Sequence, residues 1–516
     1  MAHRSELPSG SGQAAGRFWV RVFTVASTAA LAVGCGDGGN GPTKFGAVAG
    51  TVYLPFELSA ALKPAVGATV RLSVGDFDTS TVTGDAGTFF FDQVPARTVR
   101  LVASLGTCLA DTQVAVRVTE GDTTAADVTL SSSPSSNCFG LPFAGAARME
   151  IDPASNRAVL LYDAAYTSAD RSHPAIVVVD LTSGEGSTHE FADLDDVYDL
   201  VLVSGTEAVF NFKSATGFGL RFFDVAAMTA SRADVIFETD LSFQGGRIAL
   251  DDLHERLFVT VGNQPVFTPV GKVYALSLVT GLWLDADNDP ADGDFAFDDD
   301  LVAGALGWAY NIAFDPAAGE ILVGSRVVPF LQSPFLTAIS VSKWGTFDRD
   351  SNLTAPTPGV RKINMDPGEG FTGFAVEYWD FAGGIGVAAK SLSGRAGMVT
   401  YTSGGTTFTT KLVEENTQLV ADNQFLTIIP ERQTWFTLIE DPGRPQAVRK
   451  SIEERELSTL QRHNRYETRF LEDPPLVPRG FAVNTQTQRL YVAYQNSPIL
   501  EVFELCRGTA CGGPVM

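Results

Sequence analysis

The chain is short of histidine, methionine and positive charge, and each shortage removes a class of function. Five histidines and six methionines occur in 516 residues. One histidine precedes the apolar leader described below. The other four, His173, His189, His254 and His463, form no zinc-binding or Ser-His-Asp motif. His254 falls inside a hairpin turn and reads as a turn residue. A Gly-rich phosphate loop is absent as well. Lys and Arg number 37 against 60 Asp and Glu, giving a net charge of −23. With no basic cluster to interrupt it, that field repels a phosphate backbone and makes nucleic acid a poor partner. What is abundant is 50 Gly, 35 Phe and many Val and Thr, with only 19% charged residues. This composition favours strands and turns, and the fold class is expected to be all-β.

No apolar run is long enough to span a bilayer as a helix. The longest, Val22 to Val33, follows Arg17 and Arg21 and ends at Leu31, Ala32, Val33, Gly34 and Cys35, before a Gly-rich stretch to Pro42. A positive flank, a short apolar core and small residues make an export signal. The ending resembles the lipobox of bacterial lipoproteins. The resemblance implies that residues 1–35 are a lipoprotein signal peptide, that Cys35 is acylated, and that 36–44 is a flexible tether. More than one acyl chain would anchor the protein stably. Gly36 after the cysteine favours the outer membrane, so the expected location is the bacterial cell envelope. Ordinary secretion with cleavage nearby is the alternative.

A short phrase recurs: an apolar residue, an Asp or Asn, a polar link, then Arg or Glu opening an apolar run. It appears at Ile151 to Leu161, Leu250 to Thr260, Phe314 to Gly324 and Val483 to Ala493. Weaker copies lie at Leu200 to Phe210, Phe374 to Val387 and Leu426 to Phe436. A hairpin repeated at intervals is what the blades of a β-propeller require, because each buries both faces against its neighbours. The copies predict a seven-bladed propeller over 139–505. Third strands such as Ala175 to Gly184, Lys272 to Leu278 and Ile499 to Leu505 resemble those of YVTN, NHL and quinoprotein-like propellers. That is a resemblance of fold without an implied activity. The last unit stops after its third strand, so Phe139 to Gly145 is the natural donor of a closing outer strand.

Ahead of the wheel, Phe45 to Tyr53, Pro64 to Leu72, Thr83 to Phe91 with Val94 and Pro95, Thr98 to Ala103, Val114 to Val118 and Ala126 to Leu130 alternate as short strands. Their order resembles the carboxypeptidase regulatory-like, or transthyretin-like, β-sandwich, which implies a structural or adhesive spacer over 45–131. Residues 132–138 read as a linker and 506–516 as a C-terminal tail. Setting Cys35 aside, Cys108, Cys138, Cys506 and Cys511 imply disulfides in an exported chain, with three possible connectivities. Nearness favours Cys108 with Cys138 and Cys506 with Cys511. Joining Cys138 to Cys506 would instead staple the ends of the wheel.

The strongest local chemical signal is Asp285, Asp287, Asp289, Asp292 and Asp294. Alternate carboxylates can converge on a hard cation. The first four resemble a thrombospondin type 3 calcium loop, and calcium is the one cofactor the sequence suggests, against the plainer reading of a solvated acidic loop. The stretch Ser451 to Arg462 carries a capping-box pattern and predicts a short helix inserted in the sixth unit. Trp308, Tyr310, Tyr378 and Trp379 read as blade core or as channel-mouth aromatics. Together these features predict an envelope lipoprotein whose propeller binds or scaffolds a polymer or protein partner. A hydrolase or lyase using channel carboxylates is the alternative.

Overall fold

The computed structural model describes residues 44–58, 61–65, 67–84, 86–105, 109–110, 112–132, 138–164, 173–263, 270–289, 295–298, 306, 309–325, 335–347, 358–364, 376–382, 385–392, 395–402, 409–412, 418–419, 426–440, 443, 450–459, 461–467, 478–495 and 497–505. Lys44 onward forms one compact unit. Every regular element described is a strand, apart from two short 3-10 turns.

Among the described residues, seven sets of antiparallel strands follow one another as blades, the first of them joined at its edge to a larger mixed sheet. The first runs through Arg148–Asp152, Arg157–Tyr162, Ala175–Asp180 and Gly186–Glu190. The second and third have inner strands Asp196–Leu202 and Gln244–Asp251. The fourth and fifth begin at Ala309–Asp315 and Val376–Ala382, and the sixth at Gln418–Leu419, followed on the same edge by Leu426–Ile429. The seventh comprises Pro478–Asn484, Arg489–Tyr494 and Ile499–Glu504. Its outer strand is supplied from the other end of the wheel by Cys138–Gly140, with Cys138 opposite Glu501 and Gly140 opposite Ile499. The seven sequence units are thus seven blades. The closing strand overlaps the expected donor Phe139 to Gly145 only at Phe139 and Gly140 and begins at Cys138, which the sequence reading assigns to the linker, because Cys138 already pairs with Glu501.

The recurring phrase has a physical cause in its turn. Asp315 accepts hydrogen bonds from the Ala317 and Ala318 amides, and Asn484 does the same for Gln486 and Thr487. Asp152 caps Ala154 and Ser155 in the same way. The turn then needs a left-handed residue before the next strand, which is Asn156, Glu255, Gly319 or Gln488. Asp180 and Asp224 repeat the device between third and fourth strands.

The core lies between blades rather than within them. Along Arg157–Tyr162, Ala158, Leu160 and Tyr162 pack toward the seventh blade, while Val159 and Leu161 pack toward the second. A strand with both faces covered must be apolar at consecutive positions, as this one is. Equivalent clusters join the second blade to the third, the third to the fourth and the sixth to the seventh.

The stretch Ser451 to Arg462 is not helical. Lys450–Glu456 is the third strand of the sixth blade, paired along its length with Thr434–Glu440. Glu453, Glu454 and Arg455 are taken up by partners within this strand and on Arg462–Tyr466, so pairing overrides the local capping pattern.

The small N-terminal sandwich packs Val48, Val70, Leu72, Phe89, Phe91 and Leu101 between two sheets. One sheet orders Phe77–Val82, Thr69–Val74, Thr98–Ser104 and Thr112–Arg117 side by side. Phe77–Val82 was not foreseen as a strand. The other sheet is organised by Phe45–Leu58, whose first half pairs with Thr88–Pro95. Its far end runs parallel to the outer strand of the first blade, with Phe56 opposite Gly186 and Leu58 opposite Thr188. One strand therefore belongs to both the sandwich and the wheel.

Phe139 is 2% exposed between the seventh and first blades. Phe139→Ala is expected to cost about 3–5 kcal/mol, measured by urea unfolding. Phe90→Ala, at a 57% exposed position of the sandwich, serves as the control at under about 0.5 kcal/mol. Equal small effects would show that the closing strand is not stably seated.

Candidate functional site

The inner strands line the centre of the wheel, and they are irregular at one recurring place. Pairing with the second strand slips between Val197 and Asp199, Gly245 and Ile248, Ala309 and Asn311, Val376 and Tyr378, and Pro478 and Gly480. Such bulges re-aim side chains. Asp199, Arg247, Asn311 and Arg479 lie at these slips.

Three blades meet on one carboxylate there. Asp199 Oδ1 accepts from Arg148 Nε at 2.7 Å and from Arg247 Nη1 at 3.1 Å. Its Oδ2 accepts from the Ile248 amide at 2.9 Å, while its own amide donates to Asn211 Oδ1. Asn211 Nδ2 donates onward to the Gly246 carbonyl. All four side chains are buried. Burial pushes the Asp199 carboxyl above its ordinary range, opposed by the Arg148 guanidinium.

A second cluster lies at the same end of the inner strands. Arg479 donates to the Gly145 carbonyl at 2.7 Å and to Asp163 Oδ2 at 2.5 Å. Nearby Asp196 accepts from the Ala164 and Val197 amides at 3.0 and 2.9 Å. Burial pushes its carboxyl up, and the charge of Asp163 adds to that. Two carboxylates and one arginine, supplied by three blades, thus meet at one end of the inner strands. At the opposite mouth a cavity of about 420 Å³ is lined by Glu150, Asp152, Val201, Leu202, Ser204 and Leu250.

The sequence-predicted residues fall elsewhere. Asp285, Asp287 and Asp289 follow the short strand Trp283–Leu284, and each of the first two carboxylates accepts from the amide two residues on, at 3.3 and 3.1 Å. Burial and the neighbouring Asp287 raise the Asp285 carboxyl. Asp292 and Asp294 lie outside the described residues. Among the described residues no three His, Cys, Asp or Glu side chains are grouped as metal ligands. Cys35, Cys108, Cys506 and Cys511 also lie outside them. Cys138 is buried and disulfide-bonded. His254 donates its backbone amide to Asp251, and its Nδ1 lies 2.8 Å from the same carboxylate, all within the hairpin turn. The side chains of Trp308, Tyr310, Tyr378 and Trp379 lie outside the description.

Sequence reasoning missed the ionic interior of the sixth blade. Glu453 and Glu454 are fully buried on adjacent positions of one strand. Glu453 pairs with Arg455 and, at 2.6 Å, with Arg465. Glu454 accepts from Arg432 Nη2 at 2.9 Å, Asn464 Nδ2 at 2.9 Å and the Tyr466 hydroxyl at 2.7 Å. The available signal was the alternation of Ser451, Glu453 and Arg455 against Ile452 and Glu454, a period of two.

No protein-family model matches this chain, and no curated protein matches it in sequence. Several solved structures are similar in outline. Raptor from Chaetomium thermophilum aligns at 10% identity and TM-score 0.45, over 71% of this chain and 28% of that one. The present chain thus spans little more than a quarter of that relative. An oligogalacturonate lyase in complex with manganese aligns at 11% identity and TM-score 0.44, over 80% of this chain and 97% of the other. YCF48 bound to D1 peptide aligns at 10% identity and TM-score 0.43, over 72% and 94%.

Burial works against ionisation of Glu454, but its hydrogen bonds from Asn464, Tyr466 and Arg432 outweigh it and hold the carboxyl below its ordinary value. A depressed acid contributes stability that is present above its unfolded pKa, about 4.3, and lost as pH falls through the folded value. The destabilisation caused by Glu454→Gln is therefore expected to be largest above about pH 5 and to shrink toward pH 3, followed by urea midpoints. A loss independent of pH would contradict this assignment.

Proposed function

We propose that this chain is an envelope-tethered binding or scaffolding protein, whose propeller presents one loop-rich face to an envelope polymer or protein partner. The supporting observation is the unequal construction of the two faces. First-to-second strand turns are tight and capped by their own Asp or Asn, as at 153–156, 252–255, 316–319 and 485–488. Because strands alternate in direction, second-to-third connections and blade-to-blade crossings emerge on the other face. On that face the described strands break off at Tyr162, Asn263, Ser325, Asn364, Glu440 and Tyr466 and resume at Ala175, Val270, Phe335, Val376, Lys450 and Pro478, leaving long stretches of sequence between them. One long connection, 341–359, departs from the pattern on the tight-turn side. A stiff frame with long loops on one side is the common arrangement of a recognition surface. The lipobox-like ending at Cys35 supports a membrane tether for this wheel, with the segment that resembles the carboxypeptidase regulatory-like family falling between tether and propeller in the sequence. Calcium at the Asp285 loop would have a supporting role in this reading.

A second reading, hydrolysis or elimination by channel carboxylates, is favoured by the Asp163 and Asp196 pair beside Arg479. Two neighbouring carboxyls, one of them raised by burial, are the arrangement general acid–base chemistry uses.

Co-sedimentation of the full chain with isolated envelope fragments separates the readings. Replacing 264–269 by a short Gly-Ser link is expected to lower retention at least about tenfold, a loss of roughly 1.4 kcal/mol. Leu253→Ser in a tight turn should leave retention unchanged. Cys35→Ser should release the chain from the membrane fraction without altering retention. Turnover of a glycoside, lactone or uronate polymer that is lost in Asp196→Asn would overturn the binding reading in favour of the second.

A further inference from the structure

Cys138 is the first residue of the strand that closes the wheel, and it is disulfide-bonded. The register limits its partner. Cys138 lies opposite Glu501 in an antiparallel pair, and the strand rises about 3.3 Å per residue. Leu505, whose amide still donates to the Gln488 carbonyl, is therefore displaced by about 13 Å along the strand. Consecutive Cα atoms are about 3.8 Å apart, so Cys506 stays at least about 9 Å from Cys138. A disulfide needs Cα atoms within about 7 Å. Cys506 cannot be the partner.

On the other side, Leu109–Ala110 pairs with Ser131–Ser132 and approaches Cys138–Gly140 to within 8 Å between Cα atoms. Cys108 is one peptide bond from Leu109. The sandwich thus touches the wheel twice. Phe45–Leu58 adds to the outer edge of the first blade, and Leu109–Ala110 reaches the outer strand of the seventh. These are the two blades on either side of the seam where the ring closes.

We propose that the sandwich is a clasp across the seam of the propeller, with a Cys108–Cys138 disulfide as its covalent half and Cys506 paired with Cys511. Forming the bond takes two protons and two electrons from the two thiols. A thiol–disulfide oxidant of the exported compartment accepts them and leaves as a dithiol. The clasp requires export to an oxidising compartment but is independent of what the loops bind. It gives the sandwich a task beyond spacing, because loss of the bond frees the first residue of the closing strand.

Alkylated, non-reduced full chain digested with trypsin tests this directly. Residues 101–117 and 118–148 are expected to run as one linked species, with 490–507 joined to 508–516. A 118–148 fragment linked to either C-terminal fragment, or carrying an alkylated Cys138, would overturn the proposal. A second measurement concerns coupling. Cys108→Ser and Cys138→Ser should each lower the melting temperature by roughly 5 °C or more, and the double variant should fall no further. Cys506→Ser should not share that loss. Additive effects of the first two would mean that the sulfurs are not bonded to each other.

Discussion

Mutual burial of adjacent blades is the constraint on which the rest of the molecule depends. The described core clusters of the wheel are shared between neighbouring blades. Val159 and Leu161 of the first blade need Leu200 and Phe210 of the second, and Val209 and Leu220 of the second need Ile248 and Val259 of the third. An open series would leave one face of its first blade and one of its last exposed unless it returned to its start. Closure is thus a thermodynamic requirement, and Cys138–Gly140 meets it by giving the seventh blade the outer strand its own segment lacks. Buried charge obeys the same logic. Asp199 draws Arg148 and Arg247 together so that one carboxylate spans three blades, and breaking such a pair costs more than the pair itself contributes.

Much of this architecture was legible in the residues. The Asp-to-Arg phrase encodes a side-chain-capped turn followed by a strand buried on both faces, and both halves are local chemistry. That is why seven units and the approximate position of the closing donor could be read off a single chain. The bulges before Asp199, Arg247 and Asn311 were not legible, because a slipped register leaves the alternation of residue types almost unchanged. The strand Lys450–Glu456 was hidden for a different reason. Its polar run, Ser451 and Glu453 to Glu456 broken only by Ile452, looks solvated until Arg432 arrives from a neighbouring turn and Arg462 and Arg465 from the next strand. Sharing of Phe45–Leu58 between sandwich and wheel is likewise a long-range pairing that no local pattern announces.

The candidate site was the least legible part. The acidic stretch from Asp285 drew notice because its residues are consecutive, whereas Arg148, Asp163, Asp196, Asp199, Arg247 and Arg479 are scattered over more than 300 positions. They converge only because the inner strands of successive blades converge on one axis. A rigid, internally compensated hub of this kind frees the outward connections to vary, since the stability of the wheel does not pass through them. The proposed recognition by loops and the proposed clasp across the seam follow from that division of labour.

Native-state hydrogen exchange across the seam tests the closed ring most directly. The account predicts that amides of Ile499–Glu504 and Arg157–Tyr162 exchange only through the same global opening, with the same denaturant dependence, as those of Glu207–Ser214 in the second blade. Exchange of the seam strands through a separate, low-energy opening, with the second blade still protected, would contradict it.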